Sequence, residues 1–257
     1  MSRIFEPYQR IERSIITKYK KEIWNPFTQA VKDYELILPG DKIAVCISGG
    51  KDSMLMAKLM QELHRHTNVP FDLVFLVMDP RYNEINRQKI ESNAKLLHIP
   101  ITIFETNIFA VANKTEKDPC YLCARMRRGH LYNKARELGC NKIALGHHKD
   151  DIVETLLMNL IFQGAFGTIA PVLQMDKFPM QMIRPLCLIE ERELARYAEL
   201  RGYHKQDKQC PFEHESHRSN IKQLVTQLEQ FNPNVRDSIW AAMHNIQPAY
   251  LPHKLTK

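Results

Sequence analysis

Hydrophobic and polar residues alternate between strand-like and helix-like patterns through the middle of the chain. Short apolar runs, which predict buried strands, are separated by longer segments with apolar residues at helical spacing. The predicted strands are residues 42–47, 71–78, 101–104 and 142–145, and the predicted helices are about 52–66, 83–97, 122–138 and 150–162. Alternation of this kind predicts an α/β fold with a doubly wound, mostly parallel sheet.

The two ends of the chain are predicted to be helical. Residues 1–35 carry apolar side chains at roughly helical spacing, and Pro39-Gly40 then breaks the pattern. Further helices are predicted at 190–201, 219–230 and 235–244. We therefore expect three regions, namely an N-terminal helical region at 1–38, an α/β domain at 39–188 and a C-terminal helical region at 189–257.

Composition and charge narrow the class of protein. The chain has 257 residues, of which 44% are hydrophobic and 25% charged, and this is typical of a globular protein. It has no apolar run near the roughly 18–20 residues of a membrane span and no apolar signal segment at its start, so we expect a cytoplasmic protein without a membrane partner. A net charge of +7 is compatible with a nucleic-acid partner.

A glycine-rich loop lies between the first predicted strand and the helix after it. Glycines at such a junction let the backbone approach an anion, and N–H groups of the first helical turn point toward negative charge. Lys51 adds positive charge, Asp52 can cap the helix or help to hold Mg²⁺, and Ser53 offers a hydroxyl. An ordinary glycine turn is the alternative interpretation. The predicted phosphate-binding residues are Ser48, Gly49, Gly50, Lys51, Asp52 and Ser53.

The ends of two other predicted strands should lie beside this loop. Met78-Asp79 and Gly146-His147 each follow a strand, and the carboxyl ends of parallel strands share one edge of the sheet. We therefore expect them to take part in nucleotide binding. Asp150 and Asp151 begin the next helix, where one of them could bind Mg²⁺ or transfer a proton. Helix capping by the same acidic pair is an equal alternative.

The cysteines suggest a second kind of chemistry. Cys120 and Cys123 form a C-x-x-C motif at a helix start, which is compatible with zinc, dithiol redox chemistry or an iron–sulfur cluster. Cys210, in a polar loop beside a proline, is either a third ligand or a free surface thiol. Cys46 lies within a strand pattern and is expected in the core. No role is predicted for the remaining two, Cys140 and Cys187.

Several motifs resemble known families. The run from Ser48 to Ser53 resembles the PP-loop of the ATP pyrophosphatases, which split ATP into AMP and pyrophosphate. Three further segments are similar to those of the tRNA 2-thiocytidine synthetase (TtcA) family, and the resemblance extends from about residue 35 to residue 228. These segments are Pro119–Gly129, Ile143–Asp151 and Ile183–Leu186.

The resemblance implies a specific reaction. ATP, with Mg²⁺, would adenylate the C2 oxygen of a tRNA base, expected to be an anticodon-loop cytidine, and sulfur would replace that oxygen. The family's three cluster-binding cysteines correspond to Cys120, Cys123 and Cys210, which would hold a [4Fe-4S] cluster with one open iron. Lys51 and Asp151 would be catalytic. The implied partners are tRNA and a sulfur donor, either of the cysteine desulfurase type or free sulfide, and dimers occur among the relatives.

One departure from the family leaves the target nucleoside open, and a second feature differs from the 2-thiouridine branch. Some family members carry a second C-x-x-C around the third ligand, whereas Cys210 here is followed by Pro211-Phe212-Glu213. The N-terminal zinc cysteines of the 2-thiouridine branch are absent, since no cysteine precedes Cys46. The alternatives are a 2-thiouridine synthetase, a PP-loop amidating ligase with zinc at the cysteines, or a non-catalytic iron–sulfur RNA-binding protein.

Overall fold

The computed structural model describes residues 5–81, 83–108, 119–175, 178–203 and 217–252. The strands are β1 Lys42–Ile47, β2 Asp72–Asp79, β3 Ile101–Glu105, β4 Lys142–Ala144, β5 Val172–Gln174 and β6 Gln181–Ile183. The helices are α1 Pro7–Ile16, α2 Asn25–Asp33, α3 Lys51–His66, α4 Glu84–Leu97, α5 Pro119–Glu137, α6 Lys149–Met158, α7 Glu191–Leu200, α8 His217–Phe231 and α9 Val235–His244. Two π-helical segments, Lys20–Trp24 and Asn159–Gln163, and a 3₁₀ turn, Pro248–Tyr250, complete the described elements.

The six strands form one sheet in the order β3-β2-β1-β4-β6-β5. All neighbouring strands are parallel except β5, which runs antiparallel to β6. This arrangement confirms the predicted α/β fold with a doubly wound, mostly parallel sheet. The sequence pattern predicted no strand for β5 or β6. A glutamine interrupts the apolar residues of each, so neither shows the continuous apolar run that predicted β4.

The central strand β1 is buried on both faces of the sheet, which explains its continuous apolar run. On one face α3 packs against β1, β2, α1, α4 and α7. Its residues from Ser53 to Met60 are all buried, and from Met54 to Met60 they are apolar except for one lysine, so the helix has no one-sided apolar stripe here. That lysine, Lys58, donates to Glu12 Oε1 at 2.6 Å and to the Leu97 carbonyl at 2.8 Å. These bonds fix α1 and the end of α4 against α3.

The opposite face of the sheet is covered by α5. Tyr132 and Ala135 of this helix pack with Ala44 and Cys46 of β1, and with Ile143 of β4. Because side chains alternate across a strand, Ala44 and Cys46 point to this face while their neighbours point toward α3. Helix α5, which precedes β4 in the chain, therefore packs on the face of the sheet opposite to α3.

The chain divides into two compact units. Unit 1 comprises residues 1–149 and 170–213, and it holds the complete sheet. Unit 2 comprises residues 150–169 and 214–257. Its small core contains Val153 of α6 together with Ile221 and Val225 of α8. Among the helices that the structure describes, none combines the length and the apolar character needed to cross a bilayer.

Candidate functional site

The order of the strands reverses between β1 and β4. Within the sheet, β2 and β3 lie on one side of strand β1, whereas β4 lies on its other side. In open α/β sheets, ligands bind at the carboxyl ends of the strands beside such a reversal. The loop after β1 holds Ser48, Gly49 and Gly50, and the loop after β4 holds Gly146 and His147. Unit 1 therefore brings these two predicted segments together at one edge of the sheet.

The loop after β1 has a fixed shape. Gly49 has φ +87°, a backbone conformation that favours glycine. Gly50 is the N-cap of α3, in extended conformation. The Ser53 hydroxyl donates to the Gly50 carbonyl at 2.9 Å and accepts the N–H of Ser48 at 3.1 Å, and the two serine hydroxyls are 3.1 Å apart. These bonds hold the loop in place, with the N-terminus of α3 at its end.

Gly146 packs against the backbone of this loop. A Cβ atom at this position would lie 3.2 Å from both the Cα and the nitrogen of Ser53. Because this distance is shorter than an ordinary van der Waals contact, any larger residue would displace the first turn of α3. The close approach of backbone to backbone accounts for the glycine after β4.

The charged groups of the loop form a small network. The Lys51 ammonium is 3.1 Å from Asp52 Oδ2 and 3.6 Å from Glu191 Oε1. Glu191 is the first residue of α7. The other carboxylate oxygen of Asp52, Oδ1, is buried, and no hydrogen-bond partner occurs for it within the described part of the chain. Sequence reasoning missed Glu191, because nothing in its local pattern points to a contact with a loop so far away along the chain.

Met78 and Asp79 end β2, the neighbour of β1 on its other side. Both side chains are buried. The Asp79 carboxylate accepts from Arg87 at 3.2 Å, and its backbone carbonyl accepts the N–H of Thr106 at 2.8 Å. Asp79 thus lies at the predicted edge of the sheet, with its carboxylate engaged by an arginine of α4.

The C-x-x-C motif lies in the first turns of α5. Cys120 and Cys123 are three residues apart in the sequence of this helix. Their side chains, and the whole of residues 204–216 with Cys210, lie outside the described residues. Among the side chains that are described, no group of three His, Cys, Asp or Glu is arranged to hold a metal ion.

The other three cysteines are buried and free. Burial raises the pKa of Cys46 and of Cys187 to about 12, and it also raises the pKa of Cys140. A thiol with a raised pKa is a poor metal ligand, since the ligand is the thiolate. The expectation that Cys46 belongs to the core is confirmed. The donor chemistry of a [4Fe-4S] cluster therefore fits the motif on α5 and Cys210, and it does not fit the buried thiols.

The acidic pair at the start of α6 belongs to unit 2 and is engaged by arginines there. Arg236 Nε is 2.7 Å from Asp150 Oδ1, and Arg218 is 3.3 Å from Asp151 Oδ1. The Asp150 side chain is only 6% exposed, whereas that of Asp151 is 16% exposed. Arg236 also contacts Glu229, so it links α6 to the C-terminal helices. Asp150 therefore has the surroundings of a structural anchor, and Asp151 is the more accessible of the pair.

Glu154 lies one turn further along α6 and is buried. Burial, assisted by the negative charges of Asp151 and Asp150, raises its pKa from 4.5 to about 7, although Arg218 and Lys222 oppose the shift. Between these two pH values the unfolded chain releases a proton that the folded protein retains. The free energy of unfolding therefore falls as pH rises through this window, and the loss is complete above about pH 7.

Replacing Glu154 with Gln should remove this loss. We expect the free energy of unfolding of unit 2 to be about 1–3 kcal/mol higher than wild type at pH 8, with a difference that shrinks toward pH 5. Denaturant unfolding can be followed by fluorescence of Trp240 in a Trp24→Phe background. Asp237→Asn, at an exposed carboxylate of the same unit, is the control and should change little. A destabilised Glu154→Gln variant at pH 8 would contradict the prediction.

Curated proteins are similar to this chain over nearly its whole length. The tRNA-cytidine(32) 2-sulfurtransferase of Geobacter sulfurreducens is 38% identical over 239 residues, 91% of this chain and 93% of that protein. The protein of the same name from Syntrophotalea carbinolica is 36% identical over 87% of this chain and 88% of its own length. The family model of the PP-loop domain matches residues 17–228. This chain belongs to the PP-loop family, in the group of the tRNA-cytidine(32) 2-sulfurtransferases.

A solved structure supports the fold of this PP-loop protein. The fold of this chain is similar to that of the U34-tRNA thiolase NcsA from Methanococcus maripaludis, which was solved with its [4Fe-4S] cluster. The TM-score is 0.69 at 24% sequence identity, and the match covers 87% of this chain and 79% of that chain.

Proposed function

We propose that this protein is an ATP-dependent tRNA sulfurtransferase that converts cytidine 32 of tRNA to 2-thiocytidine. The observation that carries the proposal is the identity of 38% to a tRNA-cytidine(32) 2-sulfurtransferase over 91% of the chain. The ordered PP-loop in unit 1 supports the ATP-dependent half of the reaction. The C-x-x-C on α5, with Cys210, supports the sulfur half.

The PP-loop is suited to the first step. N–H groups at the start of α3 and the Lys51 ammonium can stabilise the phosphates of ATP and the charge that develops on leaving pyrophosphate. The C2 oxygen of the base attacks the α-phosphorus, a phosphorus–oxygen bond forms to AMP, and the bond to pyrophosphate breaks. The oxygen thereby becomes part of a good leaving group. Met78, Asp79, Gly146 and His147 surround the same edge of the sheet and complete the proposed nucleotide site.

Mg²⁺ would accompany ATP at this loop. The buried Oδ1 atom of Asp52 fits a role in holding the ion, since an oxygen without a hydrogen-bond partner in the described part of the chain is available to a cation. Neutralising phosphate charge is the chemistry that Mg²⁺ would supply. Lys51 shares that task.

The second step replaces oxygen by sulfur. A sulfur atom at the sulfide level attacks C2, a carbon–sulfur bond forms, the C2–oxygen bond breaks and AMP leaves. With sulfide as the source, the exchange needs no net electron transfer. Cys120, Cys123 and Cys210 would hold a [4Fe-4S] cluster, which would supply an open iron for the incoming sulfur. The donor would be free sulfide, or a cysteine desulfurase system whose persulfide sulfur is first reduced to sulfide by two electrons from a thiol reductant, which becomes a disulfide.

Helix α5 also offers a surface for the tRNA. It carries five Lys and Arg residues against one acidic residue, Glu137. Of the five, Arg125, Arg128 and Arg136 are exposed. Contacts of such side chains with phosphates would hold the anticodon loop beside the cysteines, while the target base leaves its stack.

The environments of Asp150 and Asp151 predict different effects of substitution. Asp151→Asn should leave the fold intact and lower thiolation by about 10²–10⁴-fold, because the carboxylate that transfers a proton is lost. Asp150→Asn should instead lower the free energy of unfolding by about 1–2 kcal/mol, because Arg236 loses a buried partner. Single-turnover thiolation and Trp240 fluorescence measure the two effects. Full activity in Asp151→Asn, together with an inactive but stable Asp150→Asn variant, would reverse the assignment.

The product of the reaction tests the proposal directly. Nucleosides from bulk tRNA are measured by mass spectrometry in cells with the gene, without it, and without it but complemented by the wild-type chain. We expect 2-thiocytidine to disappear on deletion and to return on complementation. Loss of 2-thiouridine instead would favour the uridine branch. Unchanged levels of both nucleosides would refute a role in 2-thiolation.

A further inference from the structure

The PP-loop lysine is held by carboxylates on two different elements. Asp52 is its neighbour in the chain, whereas Glu191 reaches it from the start of α7. The Lys51 side chain is 32% exposed and that of Glu191 is 27% exposed, so a ligand can reach both. The ammonium therefore faces an internal acceptor at the position where the proposed function requires a phosphate acceptor.

The position of Glu191 is fixed by packing. Helix α7 packs against α3 through a buried face that includes Leu194 and Tyr197. The Tyr197 hydroxyl donates to the Ile11 carbonyl at 3.1 Å, which ties α7 to α1. Before the helix begins, the Ile189 carbonyl accepts the N–H of Lys149 at 2.9 Å. Anchored on both sides, the first turn of α7 keeps the Glu191 carboxylate beside the loop.

We propose that Glu191 is a positioning residue that competes with phosphate for Lys51. This inference rests on the proposed binding of ATP at the PP-loop. In the ATP-free protein the carboxylate orients the ammonium at the loop. When ATP binds, a phosphate replaces the Glu191 carboxylate as the acceptor for the Lys51 ammonium. After pyrophosphate has formed, the carboxylate pairs with the ammonium again and displaces the pyrophosphate. Glu191 thus weakens the binding of ATP and pyrophosphate, and it favours release of pyrophosphate.

The adjacent Glu190 provides a matched control. It also lies at the start of α7, and it carries the same charge. Its carboxylate, however, is 3.5 Å from Lys149 and 2.7 Å from Arg192. Neutralising Glu190 changes the net charge of this region equally, so it separates a specific effect on Lys51 from a general electrostatic one.

The test is calorimetric titration of the full-length chain with ATP, pyrophosphate and adenosine, each with EDTA and with Mg²⁺. For Glu191→Gln we expect about two- to tenfold tighter binding of ATP and of pyrophosphate under both conditions. Adenosine binding should not change, because adenosine has no phosphate. Glu190→Gln should shift each affinity by less than about twofold. Glu191→Ala answers the same question if the glutamine variant does not fold.

Each other outcome has a definite meaning. Unchanged or weaker binding of pyrophosphate by Glu191→Gln would overturn the competition. Weaker binding only in the presence of Mg²⁺ would make Glu191 a metal ligand instead, and would also overturn it. Equal changes in affinity in Glu190→Gln and Glu191→Gln would show that the net charge of this region, and not a specific contact with Lys51, controls phosphate binding, and would also overturn the proposal. If the wild-type chain binds neither ATP nor pyrophosphate, the ATP site of the proposed function fails, which is distinguishable from failure of the role of Glu191.

Discussion

Cys120→Ala is expected to remove both the iron–sulfur cluster and tRNA thiolation while leaving ATP binding intact. A [4Fe-4S] cluster with three cysteine ligands cannot spare one of them, because the chain would then offer two thiolates. Changes to groups that merely support a metal ligand already cost about 10–100-fold, so loss of the ligand itself should lower thiolation by about 100-fold or more. The measurements are the absorption spectrum after anaerobic reconstitution and single-turnover 2-thiocytidine formation.

Cys140 is the matched control for that experiment. It follows α5 in the chain, yet its thiol is buried and burial raises its pKa. Cys140→Ala should therefore retain the cluster spectrum and the thiolation activity, with only a modest loss of stability. A Cys120→Ala variant that keeps full thiolation would remove the cluster from the mechanism. A colourless wild-type protein containing zinc would favour the amidating ligase.

Lys51→Met is expected to lower ATP-dependent thiolation by about 10²–10³-fold. Methionine keeps much of the apolar length of the side chain and removes the ammonium, so the charge that stabilises the phosphates is lost. The cluster spectrum should be unchanged, which distinguishes this variant from Cys120→Ala. The rate of pyrophosphate formation in the presence of tRNA is the direct measurement.

Lys95→Met serves as the control for Lys51→Met, since Lys95 is an exposed lysine of α4. We expect wild-type rates from it. Full pyrophosphate formation by Lys51→Met would mean that the phosphates bind elsewhere. The whole assignment of the loop from Ser48 to Ser53 would then be wrong.

Much of the fold could be predicted from the sequence. Strands β1 to β4 and the helices between them have strong local patterns, because each strand is buried on both faces or ends at a clear turn signal. Strands β5 and β6 could not be predicted, since a glutamine interrupts the apolar residues of each and both depend on pairing with β4 or with one another. Strand pairing between distant segments has little effect on the local pattern of apolar and polar residues.

The candidate site likewise has one part that could be predicted from the sequence and one part that could not. The six residues of the PP-loop are contiguous, and their chemistry is visible at the level of sequence because strand, glycines and helix start follow one another. The contact of Lys51 with Glu191 and the pairing of Asp150 with Arg236 join residues that are far apart in the chain. The structure thereby gives two adjacent aspartates different surroundings, whereas the sequence distinguished them only through the family resemblance, which favoured Asp151.

By itself, the sequence determined the sheet of parallel strands, and its motifs predicted a phosphate loop, a buried Cys46 and, through the family resemblance, the cysteines of a cluster. Only the tertiary structure decided that Cys140 and Cys187 are buried thiols, that Gly146 must be small to meet Ser53, and that Glu191 reaches Lys51. The physical reason is that local pattern fixes secondary structure and backbone loops, whereas burial, close approach and ion pairing arise only when distant segments pack together.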